Sequence, residues 1–241
     1  MSKQRFVIID GNAIVHRAYH ALPPMTVKDG TIVNAVYGFT SMLLKVINDL
    51  KPTHLAVSFD LAGKTFRDEI FEDYKATRVK ADQDLYDQIP LCYKVVEAFD
   101  IPIYTKVGFE ADDVIGTIAK KCKIDETIIV TGDKDLLQLV EDKKIEVYLL
   151  RKGMSDYQLF DEKMVKERFG FGPEMMVDYK ALRGDPSDNI PGVKGVGEKG
   201  ATELIEKVGG IEVIYEKIGK LEDYKIKESV IKKLKVGEED A

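Results

Sequence analysis

The sequence contains little of what several large classes of protein require. Its 241 residues include two cysteines, Cys92 and Cys122, three histidines and no tryptophan. Two cysteines cannot build a disulfide framework, and these two lack the CxxC spacing of a zinc knuckle. We expect each to be a small buried residue on a helix. No apolar run reaches the roughly 18 residues of a membrane span, and the first residues lack the pattern of a secretion signal, so we expect an intracellular globular protein.

The overall charge does not resemble that of a typical nucleic-acid binder. Lys and Arg number 36 against 42 Asp and Glu, which gives a net charge of −6 and a pI near 5.3, whereas such binders are usually basic. The charge is uneven, however, because residues 217–235 hold seven lysines and three acids, a local balance of +4. If the acids cluster around metal ions, the net charge of the chain is a misleading guide to nucleic-acid binding. Composition alone leaves this open.

The hydrophobic pattern predicts an α/β fold. Apolar, β-branched runs alternate with stretches of helical period. The runs are residues 6–9, 55–59, 127–130 and 145–150, and the helical stretches are 35–50, 85–99, 111–122 and 134–140. Continuous apolar strands that alternate with helices indicate a mainly parallel central sheet with helices on both faces. In such sheets, functional sites form outside the carboxyl ends of the strands.

Two parts of the chain depart from this alternation. Residues 63–80 are rich in charge and aromatics, which predicts an exposed, helix-capable excursion from the sheet. After about residue 160 the pattern is helical, with glycine-rich joints. We therefore predict an α/β core over residues 1–160 and a helical subdomain over residues 161–241 that packs directly on it. Residues 236–241 resemble the start of a helix that stops short, as in a domain cut from a longer protein.

Nine acidic residues stand at points where the chain turns. They are Asp10, Asp60, Glu110, Asp112, Asp113, Asp133, Asp135, Asp185 and Asp188. Taken singly, each could cap a helix, which contributes about 0.3–1 kcal/mol. Taken together they would repel, by about 4 kcal/mol for a pair about 4 Å apart at an effective dielectric near 20. A cluster would therefore need cations. Oxygen ligands without His or Cys favour Mg²⁺ or Mn²⁺ over zinc, and two such ions can promote phosphodiester hydrolysis.

Five segments carry a family resemblance. They are residues 7–12 (VIIDGN), 59–78 (FDLAGKTFRDEIFEDYKATR), 108–119 (GFEADDVIGTIA), 131–140 (TGDKDLLQLV) and 182–201 (LRGDPSDNIPGVKGVGEKGA). From about residue 5 to at least residue 218 the sequence resembles the 5′ nuclease domain of bacterial DNA polymerase I and the wider flap-endonuclease family. The resemblance implies a PIN-like core, a helical arch at about residues 63–82 and a C-terminal helix–hairpin–helix subdomain. It also implies a cytoplasmic (nucleoid) 5′-3′ exonuclease and 5′-flap endonuclease that acts in primer removal and repair.

The resemblance further implies roles for individual residues. The protein would hold two or three divalent ions. The ligands that belong to the first site or share it would be Asp10, Asp60, Glu110, Asp112 and Asp133. The second would be held by Asp135, Asp185 and Asp188, with Asp113 close by. In the arch, Lys75, Arg78 and Arg67 would contact the scissile phosphate and stabilise developing charge. Tyr74 or Phe71 would stack on an unpaired base.

Residues 192–201 (GVKGVGEKGA) have the helix–hairpin–helix signature. Glycines allow backbone amides to approach a phosphate closely, and the N-terminus of the following helix adds a favourable dipole. We predict that the hairpin contacts duplex DNA without reading its sequence, through Gly192, Lys194, Gly195, Gly197 and Lys199. The resemblance adds K⁺ on the hairpin carbonyls, a monomeric state, no membrane partner and, beyond residue 241, the option of a fused polymerase.

Two other classes of function remain open from the residues. A Mg²⁺-dependent small-molecule phosphatase also uses strand-end aspartates, but it usually needs an Asp two residues after the first one. This sequence has Asn12 there. A non-catalytic, structure-specific DNA-binding module would be favoured if the acidic set were broken, and all nine acids are present.

Overall fold

The computed structural model describes residues 3–154 and 156–238, which form two compact units. The first unit contains the chain up to Phe66 and from Lys80 to Asp161. The second contains Arg67–Val79 and the residues from Glu162 onward. The whole excursion at 63–82 was predicted to belong to the α/β core, whereas residues 67–79 group with the C-terminal helices. The reason is a set of bonds to the turn around Asp188, described below.

A six-stranded sheet forms the centre of the first unit. Its strands are β1 (Arg5–Asp10), β2 (His54–Ser58), β3 (Ile103–Tyr104), β4 (Glu126–Thr131), β5 (Ile145–Lys152) and β6 (Asp156–Phe160). The order is β3-β2-β1-β4-β5-β6, and every pair is parallel except β5 with β6. The chain moves outward from β1 on one side and from β4 on the other. The crevice at the carboxyl ends of β1 and β4 is therefore where this fold class places its sites.

The predicted mainly parallel sheet is confirmed, but two strands were missed. β3 has only two residues, too few for a periodic pattern. β6 is antiparallel at the sheet edge and largely polar.

Helices cover both faces of the sheet. They are α1 (Gly11–Ala21), α2 (Asn34–Leu50), α4 (Gln83–Ala98) and α5 (Ala111–Lys121), while the short α3 (Phe66–Ile70) lies where the two units meet in sequence. Val7 and Ile9 of β1 pack into a core cluster with residues of α1, α2 and α4. Alternate residues of a strand point to opposite faces, so Ile8 faces the other side, where α5 contacts β1.

One helix was not predicted, and one predicted helix is of a different type. The helix α1 was not predicted, because β1 runs into it without an intervening turn. The helix predicted at 134–140 is a 3₁₀ segment, Asp135–Leu139.

Phe59, directly after β2, is fully buried and stacks on Tyr93 with ring centroids 4.1 Å apart. Burial of such a side chain contributes roughly 1.5–3 kcal/mol, so the chain is firmly fixed one residue before Asp60.

The second unit is helical. Its elements are α6 (Glu162–Phe169), α7 (Met176–Arg183), α8 (Glu198–Lys207), α9 (Ile211–Glu216) and α10 (Glu228–Val236), with 3₁₀ segments at Pro173–Met175 and Ile218–Tyr224. Leu182, Leu204, Ile214, Leu221 and Leu234 are fully buried.

The chain was predicted to start a helix at 236, but α10 ends there. Residues 239–241 lie outside the described part. Among the described residues, no helix is long and apolar enough to cross a membrane.

Candidate functional site

Asp10 and Asp133 lie at the crevice between β1 and β4. Asp10 is the last residue of β1 and is only 4% exposed. Its Oδ1 accepts a hydrogen bond from the Ala13 amide at 3.0 Å, and its Oδ2 accepts one from the Thr131 hydroxyl at 2.7 Å. The Thr131 hydroxyl in turn accepts the Asp133 amide at 2.9 Å. A single threonine at the end of β4 therefore bonds to the carboxylate of Asp10 and to the backbone of Asp133.

Asp60 connects the end of β2 to the start of α5. The Asp60 amide donates to Asn12 Oδ1 at 2.9 Å, and Asp60 Oδ1 accepts the Ala111 amide at 2.7 Å. Asp113 takes part in a capping box, in which its Oδ2 accepts the Glu110 amide at 3.0 Å. Helix capping, the ordinary role of an acid at a helix start, therefore accounts for Asp113 at least in part.

The acids of the first unit interact through their charges. Burial, followed by the negative charges of Asp60 and Asp133, raises the pKa of Asp10 to about 6, although hydrogen bonds from Ala13 and Thr131 oppose this. Burial also raises the pKa of Asp112 to about 8, and Asp10, Asp133, Asp60 and Glu110 add to this rise. Five predicted ligands thus share one electrostatic field. A set of oxygen donors that repel one another fits a divalent cation.

Asp135 lies at the edge of this group. It is the first residue of the 3₁₀ segment, and its amide donates to Asp133 Oδ1 at 2.9 Å. The Asp-x-Asp spacing therefore forms a local turn in which the first carboxylate holds the backbone of the second residue.

Asp185 and Asp188 occupy a tight turn of the second unit. Asp185 and Ile190 exchange backbone hydrogen bonds of 2.8 and 2.9 Å across it. Asp185 is buried, and its carboxylate accepts bonds from Lys180 Nζ and from the Ser187 amide and hydroxyl. Burial raises the pKa of Asp185, but the bonds from Lys180 and Ser187 outweigh it and hold the value at about 2. This carboxylate is therefore charged at neutral pH.

The predicted arch residues contact that turn. Arg78 forms an ion pair with Asp188 Oδ1 at 2.6 Å, and its Nε donates to the Ser187 carbonyl at 3.1 Å. Tyr74 donates its hydroxyl to Asp188 Oδ2 at 3.3 Å, and the Lys75 amide donates to the Asp188 carbonyl at 3.0 Å. Asp188 therefore binds this segment through both carboxylate oxygens and its backbone.

The segment itself is less helical than predicted. The five-residue α3, which contains Arg67, is followed by turns up to residue 77. Lys75 has a φ of +55°, in the left-handed region that breaks a right-handed helix. Its ammonium lies 4.8 Å from the centroid of the Tyr74 ring, a cation–π contact.

The predicted hairpin joins α7 to α8 and packs backbone against backbone. Gly184 and Gly192 have φ of +78° and +60°, and a Cβ atom on Gly192 would overlap the backbone of Gly184. The Val193 amide donates to the Leu182 carbonyl at 3.0 Å, and the Val196 amide donates to the Val193 carbonyl at 2.9 Å. Lys194, Gly195, Gly197 and Lys199 are exposed. This geometry is that of a helix–hairpin–helix turn, and its contact with DNA stays a prediction.

Several residues that hold the acids were not predicted from the sequence. Asn12, Thr131, Lys180 and Ser187 bond directly to Asp60, Asp10 or Asp185. Ser187 was detectable, because a hydroxyl two residues after Asp is typical of a local turn. Asn12 and Thr131 reach their partners only through strand pairing, for which the sequence gives no local signal.

Two family models together match residues 5–241. Residues 5–170 match the 5′-3′ exonuclease N-terminal resolvase-like domain, and residues 171–241 match the 5′-3′ exonuclease C-terminal SAM fold. DNA polymerase I of Bacillus subtilis is 42% identical over 230 residues, which are 95% of this chain and 26% of that protein. DNA polymerase I of Caldicellulosiruptor bescii is 42% identical over 243 residues, 98% of this chain and 28% of that protein. The chain thus spans about a quarter of the length of these relatives.

Solved structures share the fold. A T5 5′-exonuclease with bound divalent metal ions (zinc) has a TM-score of 0.79 at 22% identity and covers 98% of this chain and 86% of its own. A bacteriophage T5 flap endonuclease in a pseudo-enzyme–product complex with DNA and metal ions has a TM-score of 0.77 at the same identity and coverage. The α/β nuclease fold predicted from the sequence is thereby confirmed. With both family models matched in sequence order, the chain belongs to the 5′-3′ exonuclease family.

Proposed function

We propose that this chain is a divalent-metal-dependent 5′ nuclease that hydrolyses DNA phosphodiesters at free 5′ ends, flaps and branched or nicked duplexes. The observation that carries the proposal is the common electrostatic field of five acids at the carboxyl edge of the sheet, with the pKa of Asp112 raised to about 8. Membership of the 5′-3′ exonuclease family supports the same reaction class. We further propose that the chain acts as a monomer in the cytoplasm.

Mg²⁺ or Mn²⁺ is the proposed cofactor. Asp10, Asp60, Glu110, Asp112 and Asp133 would hold it, because they interact in one unit and offer only oxygen donors. Asp135, Asp185 and Asp188 remain the predicted ligands of a second ion, with Asp113 as a capping neighbour. When bound, such ions would neutralise the carboxylates, polarise the phosphodiester and lower the pKa of a water molecule.

The chain's own side chains would bind and orient the DNA. In the hydrolysis, a water oxygen bonds to phosphorus while the bond from phosphorus to the 3′ oxygen breaks, which leaves a 5′-phosphate and a 3′-hydroxyl. Arg78, Lys75 and Arg67 would attract the phosphate, and Tyr74 would stack on an unpaired base. Lys194 and Lys199 would contact the duplex backbone. No side chain needs to act as a covalent nucleophile.

The position of Asn12 argues against the phosphatase alternative. That class usually needs an acid two residues after the first strand-end aspartate. Here the residue is an amide whose oxygen accepts the Asp60 backbone at 2.9 Å. An amide cannot serve as a proton donor and acceptor in the way that a carboxyl group does. The contact favours a structural role for Asn12.

A cleavage assay tests the proposal. A labelled 5′-flap duplex is incubated with the protein in Mg²⁺ or EDTA, beside a generic phosphomonoester. We expect EDTA-sensitive cutting at the junction and no phosphate release from the monoester. Asp133→Asn should reduce cleavage by at least about a thousandfold, since the site loses a charged ligand. Exposed Glu97→Gln should cut normally. Phosphomonoester release alone, or binding without cutting by the unmodified chain, would refute the nuclease.

A further inference from the structure

The last described helix packs against the hairpin between α7 and α8. Ile231 and Leu234 are buried and anchor α10 in the second unit. At its end, a Cβ atom on Gly237 would lie 3.2 Å from Val193 Cγ1. The Tyr215 hydroxyl donates to the carbonyls of Leu234 and Gly237, each at 3.4 Å. The end of α10 is thus fixed from two directions, and it lies beside the turn predicted to contact DNA.

Lys233 of α10 makes a specific bond to that turn. Its ammonium donates to the Gly195 carbonyl at 2.7 Å. Its stem covers the α-carbon of Gly195, since a Cβ built there would lie 3.1 Å from both Cε and Nζ. Gly195 has a φ of +84°, so a glycine is favoured for conformational reasons as well. The neighbouring Lys232 differs, because its ammonium pairs with Glu228 at 2.7 Å on the exposed side of α10.

We propose that Lys233 is a positioning residue for duplex binding: its ammonium fixes the Gly195 peptide and supplies positive charge to the hairpin from within the chain. The inference rests on the proposed function, because it assigns a role within the predicted DNA-binding hairpin. It adds to that function a residue outside the hairpin sequence, 38 positions further along the chain.

The two ends of a peptide dipole act in opposite ways on a bound phosphate. A hairpin that binds phosphate presents amide hydrogens to it, but its carbonyl oxygens repel the same phosphate. The Val196 amide is already used by the Val193 carbonyl. Lys194, Gly195 and Gly197 are exposed, and we expect phosphate to approach the amides of these residues. An ammonium on the Gly195 carbonyl offsets its negative charge and holds the peptide in one orientation, and a charge-assisted bond does so better than a neutral one.

This arrangement bears on the K⁺ expected at the hairpin. One hairpin carbonyl already accepts a cationic side chain. We therefore expect duplex binding by the unmodified chain to be nearly the same in NaCl and KCl at equal ionic strength. Loss of the ammonium should create a dependence on the external cation.

Matched variants of the full chain separate positioning from charge. Lys233→Met keeps the apolar stem and removes the charge, and Lys232→Met removes the same charge one residue away. Binding to a 5′-flap duplex in EDTA should weaken at least about fivefold more for Lys233→Met than for Lys232→Met, because only the former loses a bond to the hairpin. Lys233→Arg should restore most of the affinity. KCl in place of NaCl should partly rescue Lys233→Met alone.

Hydrogen exchange of the DNA-free proteins gives a second readout. Amides of residues 193–197 should exchange faster in Lys233→Met, while those of α7 and α8 stay protected as in the unmodified chain. Equal affinity losses in the two methionine variants with unchanged exchange would overturn the inference. If the unmodified chain fails to bind or cut flap DNA, the proposed function fails, and the exchange measurement still decides whether Lys233 holds the hairpin.

Discussion

At the scale of single residues, Asp112 has an unfavourable position for a charge. Burial and four neighbouring acids raise its pKa to about 8. Without a cation, ionisation of this carboxyl group is therefore costly in the folded protein. An uncharged residue would be more stable at the same position, and a carboxyl group kept at such a cost is the pattern expected of a functional residue.

Replacement of Asp112 by Asn should stabilise the metal-free protein while it abolishes cleavage. A carboxyl group whose folded-state pKa is raised binds its proton more tightly when folded, so stability is lost as pH rises from about 4 to 8. In EDTA at pH 8, Asp112→Asn should raise the free energy of unfolding by at least about 1 kcal/mol. Its stability should also fall less with pH than that of the unmodified chain. Thermal melts between pH 5 and pH 8 measure this.

Addition of Mg²⁺ completes the test. It should raise the melting temperature of the unmodified chain and of Glu97→Gln more than that of Asp112→Asn, because binding of a ligand to the folded state stabilises it. An Asp112→Asn variant that is less stable in EDTA, with an unchanged response to Mg²⁺, would show that this acid does not belong to a cation site.

At the scale of elements, the hairpin depends on two glycines that meet backbone to backbone. Gly184 and Gly192 both have positive φ, and neither has room for a Cβ atom. The contact between Gly184 and Gly192 brings the two ends of the loop that contains Asp185 and Asp188 together. It thereby joins this loop to the start of the hairpin. Both positions therefore favour glycine for two reasons, the positive φ and the lack of space for a Cβ atom.

Gly192→Ala should destabilise the second unit. The alanine would be strained at φ +60° and would overlap Gly184, so we expect a loss of about 2–4 kcal/mol. Gly219→Ala is the control, because nothing lies within 4 Å of a Cβ at that position. It should change stability by less than about 0.5 kcal/mol. Chemical denaturation monitored by circular dichroism compares the two, and similar losses would contradict the packing argument.

The segment 67–79 is the other element with a testable coupling. Arg78 and Tyr74 occupy both oxygens of Asp188, so a divalent ion that binds Asp188 must compete with them. Mg²⁺ should loosen the segment. The chain contains no tryptophan, and Ile70 is 79% exposed on α3, so Ile70→Trp provides a fluorophore without background. We expect its emission to change as Mg²⁺ is added.

The control for this coupling removes the positive charge of the Arg78 side chain. With Arg78→Met in the Ile70→Trp background, the ion pair with Asp188 is lost while the bonds from Tyr74 and the Lys75 amide remain, so the Mg²⁺-dependent change should shrink. If both proteins respond equally, or if neither responds at Mg²⁺ concentrations that raise the melting temperature, Arg78 does not link the segment to Asp188.

At the scale of the whole molecule, the distribution of charge matters more than its sum. The chain carries a net charge of −6, yet the proposed function requires it to bind a polyanion. The acids at the sheet edge of the first unit are those that cations would neutralise, and residues 217–235 carry a local balance of +4. The acidic pI therefore does not argue against DNA as the partner.

Duplex binding should accordingly be salt-dependent. Contacts with phosphates release counterions, so affinity for a 5′-flap duplex should fall at least about tenfold between about 50 and 200 mM NaCl. Lys194→Met should make the dependence less steep, because one phosphate contact is lost. Binding titrations by fluorescence anisotropy in EDTA measure both slopes. A flat response of the unmodified chain would contradict phosphate contact by the hairpin.

The fold class and the identity of the chemical groups were predictable from local patterns in the sequence. Apolar β-branched runs that end in aspartate are a local property of the chain, and so are the Asp-x-Asp turn and the glycine spacing of the hairpin. Buried parallel strands leave few alternatives for where such aspartates point. β3, β6 and α1 were missed because their signals are short, polar or continuous with a neighbouring element.

Which groups act on one another depends on the folded chain. Thr131 bonds to Asp10 across 121 positions of sequence, and Arg78 bonds to Asp188 across 110. Such pairs depend on strand order, register and the packing of loops, none of which has a local pattern. Burial is likewise a collective property, so the raised pKa values of Asp10 and Asp112 exist only in the folded chain. The nine acids were visible in the sequence, but the field that five of them share is a product of the fold.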